Sequence, residues 1–296
     1  ANISFGIRCD VRQLDVPTYK RLNKNYEYSR FFFGTNAGLT YNYDFGKKWV
    51  ASASVQTGWR PPAVNELYSY GLHYGLASFE IGDSLLQPER SVQLEINMSK
   101  QLNNWHFSGS FFRQKFSGFI YRNPLSDPIL TIRGAFPAFI FTQADALLTG
   151  TEFSLSYAPK LAWQWQSRFS YLRANNIGLN QPLFGMPANR MDHTLGYIFA
   201  DFAKLMGAYI ECQSVWVARQ NRFVANLDYV DPPPAYVLFH ANIGTSFKPF
   251  KKGEPWKLHL SAQNLFNNSY RDYQSRFRYF TDDPGFNFIF RLQIPF

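Results

Sequence analysis

Apolar and polar residues alternate along this sequence in segments of about ten residues, and this period of two limits the folds that the chain can adopt. Residues 286–296 place apolar side chains at every second position and polar side chains at most positions between them. The same period of two recurs in residues 91–99, 162–171, 237–243 and 256–263. Because successive side chains of a β-strand point to opposite faces, each segment predicts a strand with one apolar and one polar face.

The connections between these segments alternate in length. Short connections are predicted at residues 45–48, 102–104, 158–161, 200–204 and 248–255, and long ones at 12–30, 60–88, 122–138, 173–190, 218–235 and 267–285. Strands joined alternately by short turns and long loops are typical of transmembrane barrels. We therefore predict an all-β fold, a transmembrane antiparallel β-barrel with about twelve strands in this chain. A soluble β-sandwich also has alternating strands, but it does not require this alternation of loop lengths.

Composition narrows the choice of class. The chain is 46% hydrophobic and 19% aromatic, yet only 17% of its residues are charged. No apolar run reaches the length of about 18 residues that a membrane-spanning helix needs. The high aromatic share excludes an intrinsically disordered chain. Trp49, Trp105, Trp163 and Trp256 each follow a short turn by one or two residues, so we expect them to form a ring at one membrane interface.

The charge pattern and the reactive residues point away from enzymes and nucleic acid. The net charge of +9 is divided between lysines near the short turns and arginines in the long loops, which does not form the basic stripe of a nucleic-acid binder. The two cysteines lie far apart, and the five histidines show no metal-ligand spacing. No residue is nominated as a nucleophile with a base in reach. We predict no catalytic site, no metal site and no cofactor.

Three segments contain motifs that go beyond a generic barrel. The motif residues are Arg60, Pro62, Glu66, Leu67, Pro88 and Glu89 in the first, Gly150 and Glu152 in the second, and Asn264, Leu265, Phe266, Pro284 and Gly285 in the third. In this order, and followed by a terminal aromatic strand, they resemble the β-barrel of the TonB-dependent outer-membrane receptors. Two positions depart from the usual pattern of that family: Gln143 replaces an asparagine, and Phe286 replaces an arginine.

The resemblance implies a receptor in the outer membrane of a Gram-negative bacterium. Such receptors import a scarce nutrient, an iron–siderophore complex, haem or cobalamin, with energy supplied through TonB. Their barrel has 22 strands and encloses an N-terminal plug domain. We therefore expect residues 1–296 to be the C-terminal part of such a barrel, with the plug and the first strands outside this chain. The alternative is a self-contained twelve-stranded barrel that acts as a pore or as an outer-membrane hydrolase.

The resemblance and the residue types also nominate site residues. Arg60, Glu66 and Glu89, with Pro62 and Pro88, are expected to tie a long loop to the barrel rim through a charge network. Candidate ligand contacts are of two kinds. The first set is aromatic and contains one histidine: Tyr68, Tyr70, His73 and Tyr74. The second set combines arginines with tyrosines: Arg133, Arg271, Tyr273, Arg276, Arg278 and Tyr279.

Each set has two interpretations. The aromatic segment supplies either ligand walls, including a ligand to haem iron, or a packed loop. The arginines suit carboxylate or phosphate, which an anionic nutrient ligand or lipopolysaccharide would provide. Phe296 ends the aromatic terminal strand and is the expected signal for the barrel-assembly machinery, by strand addition at a sheet edge.

Overall fold

The structure is a computed structural model that describes residues 1–21, 24–159, 162–250 and 253–295, with side chains described except at 17–21, 24–27 and 162. These residues form seventeen strands and one short helix with a 3₁₀ turn. In chain order the elements are β1 (Asn2–Arg21), β2 (Lys24–Gly46), β3 (Trp49–Arg60), α1 (Val64–Tyr68), β4 (Tyr70–His73), the 3₁₀ turn (Tyr74–Leu76), β5 (Ser78–Ile81), β6 (Glu89–Leu102), β7 (Trp105–Pro124), β8 (Ile129–Thr131), β9 (Gly134–Phe136), β10 (Ala138–Tyr157), β11 (Ala162–Asn176), β12 (Gln181–Pro182), β13 (Arg190–Ile198), β14 (Leu205–Val217), β15 (Tyr236–Phe247), β16 (Trp256–Gln263) and β17 (Asn287–Gln293).

Twelve of the strands make one antiparallel wall. Their order in the sheet is β1-β2-β3-β6-β7-β10-β11-β13-β14-β15-β16-β17, so each wall strand pairs with the next one along the chain. The predicted all-β antiparallel architecture with about twelve strands is confirmed. The wall is not closed, because no pairing joins β1 to β17 among the described residues. The remaining short strands lie in the long loops.

The two faces of the wall differ in chemistry, as β1 illustrates. Ile3, Phe5 and Ile7 are exposed on one face, while Arg8 and Asp10 form an ion pair of 2.8 Å on the other. We call the polar side the inner face. Large exposed apolar side chains recur along the outer face to β17, and a protein in water rarely exposes so continuous an apolar surface. The outer face therefore suits contact with lipid.

No helix in the described part of the chain is long and apolar enough to cross a membrane.

The ends of the wall follow the predicted alternation of turns, with one exception. The four tryptophans after the short turns lie within the first two residues of β3, β7, β11 and β16, at the same end of the wall. The loop predicted at residues 12–30 is wrong, because β1 and β2 pair from Asn2–Asn42 to Arg21–Lys24 with one shift between Val16 and Tyr19. Backbone pairing continues there after the side-chain alternation fails, since the two backbones satisfy each other's hydrogen bonds.

The main buried core lies at the long-loop end. Its buried members come from the loop between β3 and β6 and from the wall: Leu67, Tyr68 and Leu86 from the loop, and Leu14, Phe32, Ile120 and Phe141 from strands. Leu14 shares the parity of Asp10 on β1, so this loop packs against the inner face. The β3–β6 loop therefore folds over the inside of the wall instead of extending away from it.

Candidate ligand-binding site at the long-loop end

Arg60, Glu66 and Glu89 lie together at the point where the loop leaves β3 and enters β6. We call these three residues the rim latch. Arg60 is the last residue of β3 and is paired in register with Glu89, the first residue of β6. Arg60 Nε lies 2.6 Å from Glu89 Oε2, and Arg60 Nη1 lies 2.9 Å from Glu66 Oε2. One guanidinium therefore joins the two strand ends to helix α1 of the loop.

The two carboxylates of the rim latch also organise backbone around them. Glu66 Oε2 accepts a hydrogen bond of 2.7 Å from the N–H of Ala63, which fixes the start of α1. Glu89 accepts a hydrogen bond from the N–H of Ile120 on the neighbouring strand β7. Pro62 is fully buried beside the latch, and Pro88 precedes β6, where its missing N–H costs no ladder bond.

Gln143 forms a second tie between the same loop and the wall. Its Oε1 accepts the N–H of Gln87 at 2.8 Å, and its Nε2 donates to the carbonyl of Gln87 at 2.6 Å and to that of Gly118 at 2.9 Å. A side-chain amide carries one acceptor and two donors, so it can pair with backbone as another strand would. From the sequence Gln143 was visible only as a departure from the family's asparagine.

The aromatic segment of this loop does not converge on one point. Tyr68 is buried in the core and its ring stacks on Tyr28 at 4.6 Å. Tyr70 and His73, at the two ends of β4, are both exposed. Tyr74 is exposed as well, and the guanidinium of Arg133 lies 4.9 Å from its ring centre. For Tyr68 this is the packed-loop arrangement, while Tyr74 and Arg133 form a separate exposed pair.

Arg278 is the most deeply buried of the candidate arginines, with 2% of its side chain exposed. Its guanidinium carbon lies 4.5 Å from the ring centre of Tyr273 and 4.7 Å from that of Tyr279. It also donates to the carboxylate of Asp228, which in turn accepts a 2.8 Å hydrogen bond from the Tyr279 hydroxyl. Burial raises the pKa of Tyr279 and of Tyr273, so both phenols stay protonated.

Arg271 holds the β16–β17 loop together from within. Its Nε lies 2.6 Å from Asp282 Oδ1, and its Nη1 donates to the carbonyl of Arg278 at 2.7 Å. A hydrogen bond from Ser269, together with the Arg271 pair, holds the pKa of Asp282 below its ordinary value. The role shown for Arg271 is thus to shape the loop that carries the other candidates.

A cavity of about 260 Å³ opens beside Arg278. We call it the arginine cavity, and residues that line it include Ser78, Arg122, Phe139, Arg276, Arg278 and Tyr279. Arg122 Nη1 and Arg276 Nη1 each lie 3.4 Å from the same oxygen, Glu80 Oε1. Arg122 lies two residues beyond Ile120 on β7 and so shares the inner face with the buried core.

The structure thus brings together four of the predicted ligand residues: Tyr273, Arg276, Arg278 and Tyr279. It adds three charged residues that the sequence did not nominate: Arg122, Glu80 and Asp228. Nothing in the local sequence marks them, because their partners lie far away along the chain. Phe296 lies outside the described residues. Among the described residues, no group of three or more His, Cys, Asp or Glu side chains is placed to hold a metal ion.

Comparison with known proteins defines the class of this barrel. The family model described as TonB dependent receptor-like, beta-barrel matches residues 2–265. The chain therefore belongs to the TonB-dependent receptor β-barrel family.

Solved structures of related architecture include transporters and receptors. The structure titled copper transporter OprC is 17% identical and superposes with a TM-score of 0.74, covering 97% of this chain and 44% of that one. The FrpB iron transporter from Neisseria meningitidis is 15% identical, with a TM-score of 0.61 and coverages of 97% and 42%. The siderophore receptor PirA from Acinetobacter baumannii is 15% identical, with a TM-score of 0.61, and the match covers 97% of this chain and 44% of PirA. At such low sequence identity, the structural similarity shows a shared fold and nothing more. The chain spans less than half the length of each of these proteins.

Proposed function

We propose that this chain is part of a Gram-negative outer-membrane receptor that captures a scarce nutrient and imports it with energy transmitted through TonB. Residues 1–296 supply one barrel region: the wall and extracellular loops that bind the ligand. The nutrient is a metal, free or in a complex such as an iron–siderophore, haem or cobalamin. Support comes from membership of the family and from structural neighbours titled as copper and iron transporters and as a siderophore receptor. In this role the chain binds and conducts, and it is not an enzyme.

The observation that carries this proposal is the convergence of long loops around the arginine cavity. The β16–β17 loop contributes Arg276, which faces Glu80 in the β3–β6 loop, and Arg278, which binds Asp228 in the β14–β15 loop. Gln274 donates to the carbonyl of Gly185 at 3.3 Å, which adds the β11–β13 loop. A passive pore needs an open lumen, whereas loops that fold together over the inner face form a surface that can capture a ligand.

Within the described residues, β1 and β17 each have an edge with no neighbouring strand, and this supports a larger barrel. An unpaired strand edge inside a bilayer leaves backbone groups without hydrogen-bond partners, which costs several kcal/mol for each group. We therefore propose that further strands of the same receptor pair with both edges, and that a plug domain fills the lumen and contacts TonB. The barrel-assembly machinery would read the last strand with Phe296, and lipopolysaccharide would surround the outer face. A self-contained pore or hydrolase would instead require β1 to pair with β17.

Growth measurements test the transport function. A strain that lacks the receptor gene is supplied with the complete gene and grown with limiting iron, copper or cobalamin, with a panel of iron–siderophore complexes and haem as iron sources. We expect the gene to restore growth on at least one source, and only when TonB is present. Equal growth without TonB would contradict energised transport, and a lack of rescue on every source would contradict the proposed nutrient class.

A further inference from the structure

The arginine cavity contains more positive charge than its own carboxylates neutralise. Asp228 is engaged by Arg278 and by the Tyr279 hydroxyl. The guanidinium groups of Arg122 and Arg276 are left to share one oxygen of Glu80, each at 3.4 Å. Normal N–H···O hydrogen bonds are about 2.7–3.2 Å long, so both contacts are loose. Three arginines therefore face two carboxylates, and the excess charge lies at Arg122 and Arg276.

The exposure of these groups sets the order in which an incoming anion meets them. The Glu80 side chain is 6% exposed, whereas Arg276 is 37% exposed and Arg122 is 23% exposed. An anion that enters the cavity therefore reaches the guanidinium groups before it is repelled by the buried carboxylate. Guanidinium groups bind carboxylate through two parallel N–H···O bonds, which is stronger than the shared contact with Glu80.

Two buried polar atoms of the lining residues have no partner within the described part of the chain. Ser78 Oγ and Arg278 Nη1 are both buried, and neither has a hydrogen-bond partner among the described residues. Buried polar atoms in proteins are nearly always paired with protein, water or ligand. The lining of this cavity therefore has more buried hydrogen-bonding atoms than the described residues pair.

One part of the cavity lining is aromatic and consists of Phe139, Phe184, Tyr273 and Tyr279. The ring centre of Phe139 lies 6.1 Å from the ring centre of Phe184 and 6.1 Å from that of Tyr279. The cavity has a volume of about 260 Å³. Pockets for whole ligands usually have about 300–1,000 Å³. The cavity thus suits a small anion, or one arm of a larger ligand, that carries a flat apolar group.

We propose that the arginine cavity binds a carboxylate carried on an aromatic or other flat apolar group, with Arg276 and Arg122 as its guanidinium partners. The ring of the ligand lies against Phe139 and Phe184. Because Arg122 is on the inner face, the lipid phosphates of the surrounding leaflet do not reach this point, and the ligand comes from the lumen or the loop side. The inference deepens the proposed function and rests on it only for the route by which the ligand arrives.

Calorimetry with simple probes tests this proposal on the intact receptor in detergent. Benzoate carries the charge and the ring, benzamide carries the ring without the charge, and inorganic phosphate carries the charge without the ring. We expect benzoate to bind more tightly than either of the other two. The variant Arg276→Gln should weaken benzoate at least tenfold, which corresponds to about 1.4 kcal/mol. The matched variant Arg219→Gln alters an exposed arginine that does not line the cavity and should bind as the wild type does.

Removal of the competing carboxylate gives a change of opposite sign. Glu80→Gln keeps the shape of the side chain but frees both guanidinium groups, so benzoate should bind more tightly than to the wild type. Equal affinities of Arg276→Gln and Arg219→Gln for benzoate would overturn the proposal even if Glu80→Gln did not fold. If benzamide bound as tightly as benzoate, the proposal would also be overturned. If phosphate bound as tightly as benzoate, the proposed role of the aromatic residues would be overturned. These measurements need no transport, so their failure is distinct from a failure to restore growth.

Discussion

Replacing Arg60 by alanine removes the cation of the rim latch and leaves the carboxylates of Glu66 and Glu89 without a positive charge beside them, with only their backbone N–H donors. The side chains of Glu66 and Glu89 are only 13% and 8% exposed, whereas Arg60 is 44% exposed. Loss of one partner of a fully buried ion pair costs about 3–5 kcal/mol, and hydrogen bonds to charged groups contribute about 1.5–3 kcal/mol each. Because Arg60 is nearly half exposed, solvent screening reduces the effect, and we expect the loop-opening free energy to fall by about 2–3 kcal/mol.

Hydrogen–deuterium exchange of residues 61–88 measures this opening directly. A change of about 2–3 kcal/mol accelerates exchange roughly 30- to 150-fold where opening is in fast equilibrium. Arg90→Ala is the matched control, because Arg90 is exposed and next to the latch in sequence. Exchange in the distant loop at 218–235 should be the same in both variants. If Arg60→Ala exchanges residues 61–88 as slowly as Arg90→Ala does, the latch does not hold the loop.

Three further changes probe the loops in other ways. A Cβ on Gly82 would lie 2.6 Å from the backbone of α1, so Gly82→Ala should lower the free energy of loop opening by about 1–3 kcal/mol. Gly71→Ala is the control and should leave that free energy unchanged, because a Cβ on Gly71 would have nothing within 4 Å. Equal exchange rates in the two variants would count against this packing. Gln143→Met removes three hydrogen bonds to backbone and should lower the free energy of loop opening by about 1–3 kcal/mol in the same exchange assay. Unchanged exchange would show that the Gln143 hydrogen bonds are not needed to hold the loop. The pKa of Asp282 is lowered in the folded loop, so its contribution is present above the ordinary pKa and lost as pH falls below about 4. Asp282→Asn should therefore accelerate exchange of the β16–β17 loop at neutral pH but less at low pH, and a pH-independent ratio of variant to wild-type exchange would refute this.

The wall strands could be predicted because their signal is local. A residue of a strand shares its face with the residues two positions before and after it, so the apolar face of β17 is visible in residues 286–294 without knowledge of any other strand. The same holds for the short turns and for the tryptophans that follow them. The exception is the β1–β2 hairpin, where residues 12–21 and 24–30 of the predicted loop are strand. Pairing of two backbones continues there, and backbone pairing leaves no trace in side-chain polarity.

The loop contacts could be predicted only in part. The motif resemblance nominated Arg60, Glu66 and Glu89, which lie within about 30 residues of one another and meet at two adjacent strand ends. Arg278 and Arg276 were nominated as basic residues, but the sequence did not indicate which acids they would meet. The sequence also suggested one cluster of Tyr68, Tyr70, His73 and Tyr74, whereas the loop folds so that Tyr68 is buried in the core and the other three are exposed.

Periodicity and short motifs are local properties of the sequence, and they were enough to predict the class of fold, the number of wall strands and the family. The partners of the arginines follow only from the three-dimensional arrangement of the loops. Arg276 meets Glu80 across 196 positions of the chain, and Arg278 meets Asp228 across 50. Such pairs depend on the order of the wall strands, since that order decides which loops become neighbours. The cavity between them is a property of that order and of no single segment.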